Sequence, residues 1–194
     1  KQLLTRQRFD LLPDVPPPTT QRRHLTSGRS MRYMVQTLPY NLERERERTM
    51  AEIARAFSHW GEALQVKFTP VESSWRADMA VRFVDMSPQG AGFHGGLAVR
   101  GGQLSEVTDG AITFDAGEYW LLQGDETPLR RPQAVRLYPT LLHAIGHFVG
   151  LSHSSSPQDV MWPYYQRENA SPVLSSNDIA LARQLMTSGG CHQQ

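Results

Sequence analysis

The stretch LLHAIGHFVGLSH, residues 141–153, contains three of the seven histidines in this chain of 194 residues. His143 and His147 are four residues apart, so on a helix they project from the same face, one turn apart. Two imidazoles placed in this way can bind one zinc ion. Gly150 follows and can adopt the left-handed conformation that ends a helix and turns the chain. After that turn His153 can reach the same ion as a third ligand.

Three protein ligands leave one position of a tetrahedral zinc ion open for water or substrate, as in catalytic zinc sites. Two histidines at this spacing are also common on helices that bind no metal, and the glycine with the third histidine favours the metal site. Met161 follows eight residues after the third histidine, within VMWPYY. Apolar neighbours are expected to surround the ion: Leu142, Ile145, Phe148 and Val149.

The composition is that of an ordinary globular protein, with 39% hydrophobic residues and a formal net charge of +1. Acidic and basic residues are balanced and form no long one-sided run, which argues against nucleic acid as a partner. No apolar stretch approaches the roughly 20 residues that span a bilayer. The chain starts at Lys1 without a signal-peptide pattern, and we expect it to be a processed or excised fragment. Its single cysteine, Cys191, is either a free thiol or one half of a bridge to residues outside this sequence.

The sequence predicts three segments. Residues 1–29 form an N-terminal extension whose stretch LLPDVPPPTTQRR indicates an extended, exposed run. Residues 30–188 form the main domain, and residues 189–194 form a C-terminal tail. The domain is expected to be α/β (α+β), because several strands lie between two helices and an irregular region and a third helix follow.

The helices and strands of this domain are predicted from periodicity. An amphipathic helix spans residues 43–65, where Met50, Ile53, Ala54, Phe57 and Trp60 recur every three or four positions. Strands are expected at MRYMVQTLP, LQVKFTPV, ADMAVRFVD and GAITFD, with a short strand GGLAV inside a glycine-rich stretch. A second helix begins close to Pro139, and the last one is SSNDIALARQLM.

HAIGHFVGLSH followed by VMWPYY resembles the metzincin zinc peptidases, and most closely the matrix metalloproteinases. Their signature is H-E-x-x-H-x-x-G-x-x-H followed by a turn that contains methionine, and the likeness covers residues 30–188. It implies a twisted, mostly parallel sheet, a long helix, a zinc-binding helix and a C-terminal helix after the methionine turn. It also implies a secreted, monomeric, zinc-dependent endopeptidase that acts on extended peptides or proteins.

The resemblance assigns roles to individual residues. His143, His147 and His153 would bind Zn²⁺, with Gly150 at the turn and Met161 beneath them. Pro163 and Tyr165 would form the wall of the pocket for the side chain that follows the cleaved bond. The upper rim of the cleft would hold the substrate by strand addition and would consist of Gly96, Leu97 and Ala98.

Ala144 departs from the family, which has a glutamate there as the general base. Its loss should reduce the rate roughly 10²–10⁴-fold or more and leave folding and metal binding intact. One explanation is an engineered substitution that keeps a self-cleaving protease whole, which the retention of the other site residues favours. The other is a natural pseudoprotease, a zinc-containing module that binds peptides without cutting them. A third reading, a structural domain whose histidines bind no metal, would require a zinc-free protein.

Two further metals are implied by the resemblance. The family's structural zinc needs three histidines, but this chain has only His94 in that region, with Val99 and Thr113 at the expected positions, so we expect no such site. Asp115 and Glu118 match the family's carboxylate pair for Ca²⁺, and a solvated turn is the alternative.

The N-terminal extension also resembles the end of the family's inhibitory propeptide. In RFDLLPDV, Asp10 occupies the place of the cysteine that blocks the zinc in family zymogens. A carboxylate can ligate zinc as well. Residues 1–29 would then be a propeptide that is removed by cleavage in QRRHLTSGR; the alternative is a tail whose likeness arises by chance.

Overall fold

The computed structural model describes residues 30–86, 104–108, 110–130, 133–169 and 171–188. Several predictions fall outside these ranges: the propeptide with Asp10, the strand GGLAV with Gly96, Leu97 and Ala98, the histidine His94, and the tail with Cys191. The described elements are β1 (Ser30–Val35), α1 (Tyr40–Glu43), α2 (Arg46–Leu64), β2 (Lys67–Pro70), β3 (Met79–Val84), β4 (Ser105–Thr108), β5 (Ala111–Asp115), β6 (Trp120–Leu121), β7 (Val135–Arg136), α3 (Leu137–Phe148) and α4 (Ser176–Ser188).

The main sheet has five strands in the order β2-β1-β3-β5-β4. Its first four strands are parallel, and β4 pairs antiparallel with β5 at the edge. Strand β3 alternates buried residues with partly buried or exposed ones, whereas the first four residues of β5 are all buried, as expected for a strand covered on both faces. The predicted α/β fold with a mostly parallel sheet is confirmed; the short strand β4 was not predicted.

Helix α2 packs its apolar side against the sheet and against α3. Ile53, Phe57 and Trp60 are buried as predicted, but Ala54 is exposed and Ala56 is buried instead. The single helix predicted over residues 43–65 is wrong at its start, because a turn at residues 44 and 45 separates α1 from α2. The indole nitrogen of Trp60 donates to the carbonyl oxygen of Leu142 at 2.9 Å, which fixes α2 against α3.

Helix α3 is the central element of the domain and is buried along most of its length. It begins at Leu137, and Pro139 lies in its first turn, where a missing N–H group costs no helical hydrogen bond. A helix that is apolar nearly all round is stable only inside a protein. The side chains of α3 are therefore held by packing from several directions.

Helix α4 starts with a reciprocal pair of hydrogen bonds. The backbone N–H of Asp178 donates to the hydroxyl of Ser175 at 3.0 Å, and the backbone N–H of Ser175 donates to the Asp178 carboxylate at 3.0 Å. This arrangement is a capping box and fixes the first turn of α4. Of the helices in the described part of the chain, none combines the length and apolar character that crossing a bilayer demands.

Candidate metal centre

Helix α3 and the segment after it bring three imidazole rings together. The Nε2 atom of His147 lies 3.0 Å from Nε2 of His143 and 3.2 Å from Nε2 of His153. Nitrogen ligands of a tetrahedral zinc ion lie about 3.3 Å apart when each Zn–N bond is 2.0–2.1 Å long. The three nitrogen atoms therefore have the chemistry and nearly the spacing of a zinc donor set.

The outward ring nitrogens of two histidines are held by backbone carbonyl oxygens. His143 Nδ1 lies 2.8 Å from the oxygen of Val160, and His147 Nδ1 lies 2.8 Å from the oxygen of Leu151. A carbonyl oxygen only accepts hydrogen bonds, so each Nδ1 carries a hydrogen, and in the neutral form of these rings the lone pair is then on Nε2. The lone pairs of neutral rings then converge on one point, which a cation would stabilise.

Gly150 ends α3 and starts the turn toward His153. Its φ is 103°, in the region that favours glycine, and its N–H donates to the carbonyl oxygen of His147 at 2.9 Å. The N–H of Leu151 donates to the carbonyl oxygen of Gly146 at 2.9 Å. These bonds reverse the chain so that His153 lies beside the histidines of the helix.

Met161 packs directly against α3 at Gly146. A Cβ atom built on Gly146 would lie only 2.2 Å from the Sδ atom of Met161. We did not assign Gly146 a role from the sequence. The sequence contained one indication, which is that Gly146 lies inside a predicted helix. Glycine at such a position costs about 1 kcal/mol relative to alanine, so its presence suggests a packing requirement.

Asp178 of α4 is a second residue to which the sequence pattern gave no role. Its side chain is 1% exposed and accepts hydrogen bonds from the N–H groups of Val160 at 2.8 Å and Met161 at 3.3 Å. Val160 is also the residue whose carbonyl oxygen holds His143. Asp178 therefore anchors the segment that orients the first histidine.

Ala144 lies next to His143 on α3 and is completely buried. Its methyl group can neither accept nor donate a proton. In the described part of the chain, the group of potential metal-binding side chains at this centre consists of the three histidines, and no carboxylate belongs to it. The centre thus has ligands for a metal but no carboxylate among those side chains that could serve as a general base.

A family model described as Matrixin matches residues 25–187. The chain belongs to the matrixin family. Metalloendoproteinase 1 of Glycine max is 33% identical over 136 residues, which are 69% of this chain and 44% of that protein. Metalloendoproteinase 5-MMP of Arabidopsis thaliana is 30% identical over 183 residues, 92% of this chain and 48% of that protein.

Matrix metalloproteinase-C of Caenorhabditis elegans is also similar, with 27% identity over 181 residues, 85% of this chain and 30% of that protein. The chain thus spans less than half the length of these relatives. The family that the histidine pattern predicted is confirmed.

Pro163 and Tyr165, the predicted pocket wall, are both buried in this matrixin domain. The Tyr165 hydroxyl accepts a hydrogen bond from the backbone N–H of Arg136 at 2.9 Å. Burial raises the pKa of Tyr165, so the phenol stays protonated. This bond joins the segment after Met161 to the start of α3.

Asp115 and Glu118, the predicted calcium pair, lie at and just after the end of β5. Asp115 Oδ1 accepts from the N–H groups of Gly117 at 2.8 Å and Met86 at 3.3 Å. Glu118 is 2% exposed, and its buried Oε2 atom has no hydrogen-bond partner among the residues that the structure describes. Burial, and then the charge of Asp115, raise the pKa of Glu118 to about 7. Two close carboxylates, one with an unsatisfied oxygen, fit the ligand chemistry of Ca²⁺.

Thr113, one of the positions where the resemblance would place a zinc-binding histidine, is bonded to an arginine. Its hydroxyl accepts a hydrogen bond from the Arg82 guanidinium at 2.9 Å, across the paired strands β3 and β5. A cationic side chain therefore occupies the neighbourhood where the resemblance would have placed a metal-binding histidine.

Proposed function

We propose that this chain is the catalytic domain of a zinc-dependent endopeptidase acting on extended peptides or proteins, and that Ala144 leaves it nearly inactive. The observation that supports this most strongly is the convergence of three Nε2 atoms, with the rings of His143 and His147 oriented from outside by backbone carbonyl oxygens. The names of the relatives, which include metalloendoproteinases and a matrix metalloproteinase, point to the same reaction class.

In this proposal His143, His147 and His153 hold the ion, and the rest of the chain positions the substrate. Zinc, when bound, would polarise the scissile carbonyl group and lower the pKa of water at the site. Pro163 and Tyr165 would contact the side chain that follows the cleaved bond. Gly96, Leu97 and Ala98 would pair with the peptide backbone.

Position 144 is where the proton of the attacking water would be accepted. With alanine there, the rate should fall roughly 10²–10⁴-fold or more. This corresponds to an increase of about 3–5 kcal/mol in the activation barrier. An engineered and a natural origin of Ala144 predict the same low activity for this chain.

The alternative is a pseudoprotease that binds peptides at an intact metal centre. The observation that favours it is the combination of well-oriented histidines with a residue at position 144 that cannot carry a proton. The two functions differ in whether a carboxylate at position 144 is sufficient to produce hydrolysis.

The deciding experiment compares Ala144→Glu with Ala144→Gln, which has nearly the same shape but no basic group. Metal analysis of the unmodified chain should first give one zinc per molecule. Cleavage of a quenched peptide library is then measured before and after proteolytic removal of residues 1–29. Chelator-sensitive cleavage by the Glu variant alone supports the endopeptidase. No cleavage by either variant despite bound zinc supports the peptide-binding module.

We also propose that Asp115 and Glu118 hold Ca²⁺. Calcium should then raise the unfolding temperature of the chain and should have little effect on Asp115→Asn. If calcium raised the unfolding temperature of Asp115→Asn as much as that of the unmodified chain, the ion would bind at a different site.

Two proposals rest on sequence resemblance: the domain is secreted as a monomer, and residues 1–29 inhibit it through Asp10. In the Ala144→Glu background, Asp10→Ala should then be active without proteolytic cleavage. A variant that still needs cleavage would exclude Asp10 as the inhibitory ligand.

A further inference from the structure

His153 differs from the other two histidines because it lies in a segment that is not helical. Its position therefore depends on the contacts of its neighbours. Ser154, the next residue, makes two of them. Its N–H donates to the carbonyl oxygen of Met161 at 2.8 Å, and its hydroxyl donates to the Asp159 carboxylate.

Asp159 is almost fully buried, at 8% exposure, and is held by neutral donors. Asn177 in the first turn of α4 donates its side-chain N–H to Asp159 Oδ2 at 2.7 Å, the same oxygen that Ser154 contacts. Burial alone would raise the pKa of Asp159, but hydrogen bonds from Ser154, Ser175 and Asn177 outweigh it and lower the pKa. A charged Asp159 thus links α4 to the residue beside His153.

We propose that Asp159 and Asn177 are positioning residues that fix His153 in the metal centre. The connection runs from α4 through Asn177, Asp159 and Ser154 to His153. It differs from the contact of Asp178 with Val160, which acts on His143. The inference rests on the proposed zinc site, and outer contacts of this kind typically change metal affinity 10- to 100-fold.

The test uses Co²⁺ as a probe, because its visible absorption reports the number and geometry of its ligands. The metal-free full chain is titrated with Co²⁺ and then with competing Zn²⁺. Asp159→Ala and Asn177→Ala should each bind Co²⁺ about tenfold more weakly than the unmodified chain and with altered absorption. Thermal unfolding of the metal-free proteins shows that each variant is folded.

Asn41→Ala is the matched control. Asn41 donates one side-chain hydrogen bond of 2.7 Å to the carbonyl oxygen of Trp120, outside the metal centre. Its loss should lower thermal stability and leave the Co²⁺ absorption unchanged. A change of absorption in this control as large as in Asn177→Ala would overturn the proposal.

A charge swap separates positioning from general damage. Asn177→Asp places a second carboxylate against Asp159 and should weaken Co²⁺ binding more than Asn177→Ala does. Adding Asp159→Asn restores the hydrogen bond in the opposite direction, because the amide at position 159 now donates to the carboxylate at position 177. The double variant should therefore recover most of the Co²⁺ affinity. The proposal fails if the unmodified chain binds Co²⁺ and the variants bind it equally, or if the swap gives no recovery. If the unmodified chain binds neither metal, the proposed zinc site itself is wrong.

Discussion

The Cα atom of Gly146 faces the sulfur of Met161 so closely that a methyl group on it would lie 2.2 Å from Sδ. The ring of Trp60 would lie 3.1 Å from the same methyl group. A side chain at residue 146 would therefore force Met161 or Trp60, or α3 itself, to move. The spacing between the metal helix and the turn beneath it depends on this glycine.

Gly146→Ala should destabilise the protein by about 1–3 kcal/mol through overpacking. In an ordinary helix interior the same change would be stabilising by up to about 1 kcal/mol, so the sign of the effect is diagnostic. Urea unfolding of the metal-free chain measures it. Adding Met161→Ala removes the sulfur and should recover part of the loss; a double variant with no recovery would mean that the clash lies elsewhere.

Asp178→Ala should lower stability by about 2–4 kcal/mol, because two buried N–H groups lose a charged acceptor. Zinc affinity should fall about 10–100-fold, since Val160 orients His143. Urea unfolding and a zinc competition titration measure the two effects. Asp78→Ala is the control, because Asp78 accepts three hydrogen bonds from Arg32 at an exposed site outside the metal centre. Equal zinc affinity in both variants would contradict the role of Asp178.

Gly150→Ala should cost about 1–2 kcal/mol, because a residue with a side chain is strained at a φ of 103°. It should also weaken zinc binding by displacing His153. Gly124→Ala is a close match, since Gly124 has a φ of 89° and nothing within 4 Å of an added Cβ. The two variants should lose similar stability in thermal unfolding, but only the first should lose zinc affinity.

Glu118 should make the metal-free protein less stable as the pH rises. Its pKa is raised from the ordinary 4.5 to about 7 in the folded chain, so the folded state binds more protons than the unfolded state between these values. The contribution of Glu118 to the free energy of unfolding is therefore fully present below pH 4.5 and is lost as the pH rises through 7. The total loss is on the order of 3 kcal/mol.

Unfolding experiments in the presence of a chelator, at several pH values, measure this loss. In Glu118→Gln, the part of the pH-dependent loss of stability that comes from Glu118 should disappear. Glu62→Gln, on the exposed side of α2, is the control and should lose stability with pH as the unmodified chain does. A decline of the same size in Glu118→Gln would assign it to other groups.

Local patterns explain which predictions agree with the structure. Alternation predicts β3, and the three- and four-residue repeat predicts α2, because both periods follow from backbone geometry alone. The break between α1 and α2 was missed because the charged run at residues 43–48 is compatible with one helix. Strand β4 was missed because four residues pairing with β5 carry little periodic signal.

The sequence by itself determined the family, the fold class and the three convergent histidines, because an i,i+4 spacing and a glycine turn are local features. Only the tertiary structure decided what holds two of those rings: the carbonyl oxygen of Leu151 for His147, and the carbonyl oxygen of Val160, with Asp178 behind it, for His143. Val160 and Asp178 belong to segments that are distant from His143 in sequence. Their contacts depend on how α3, the methionine turn and α4 pack, and no local period encodes that packing.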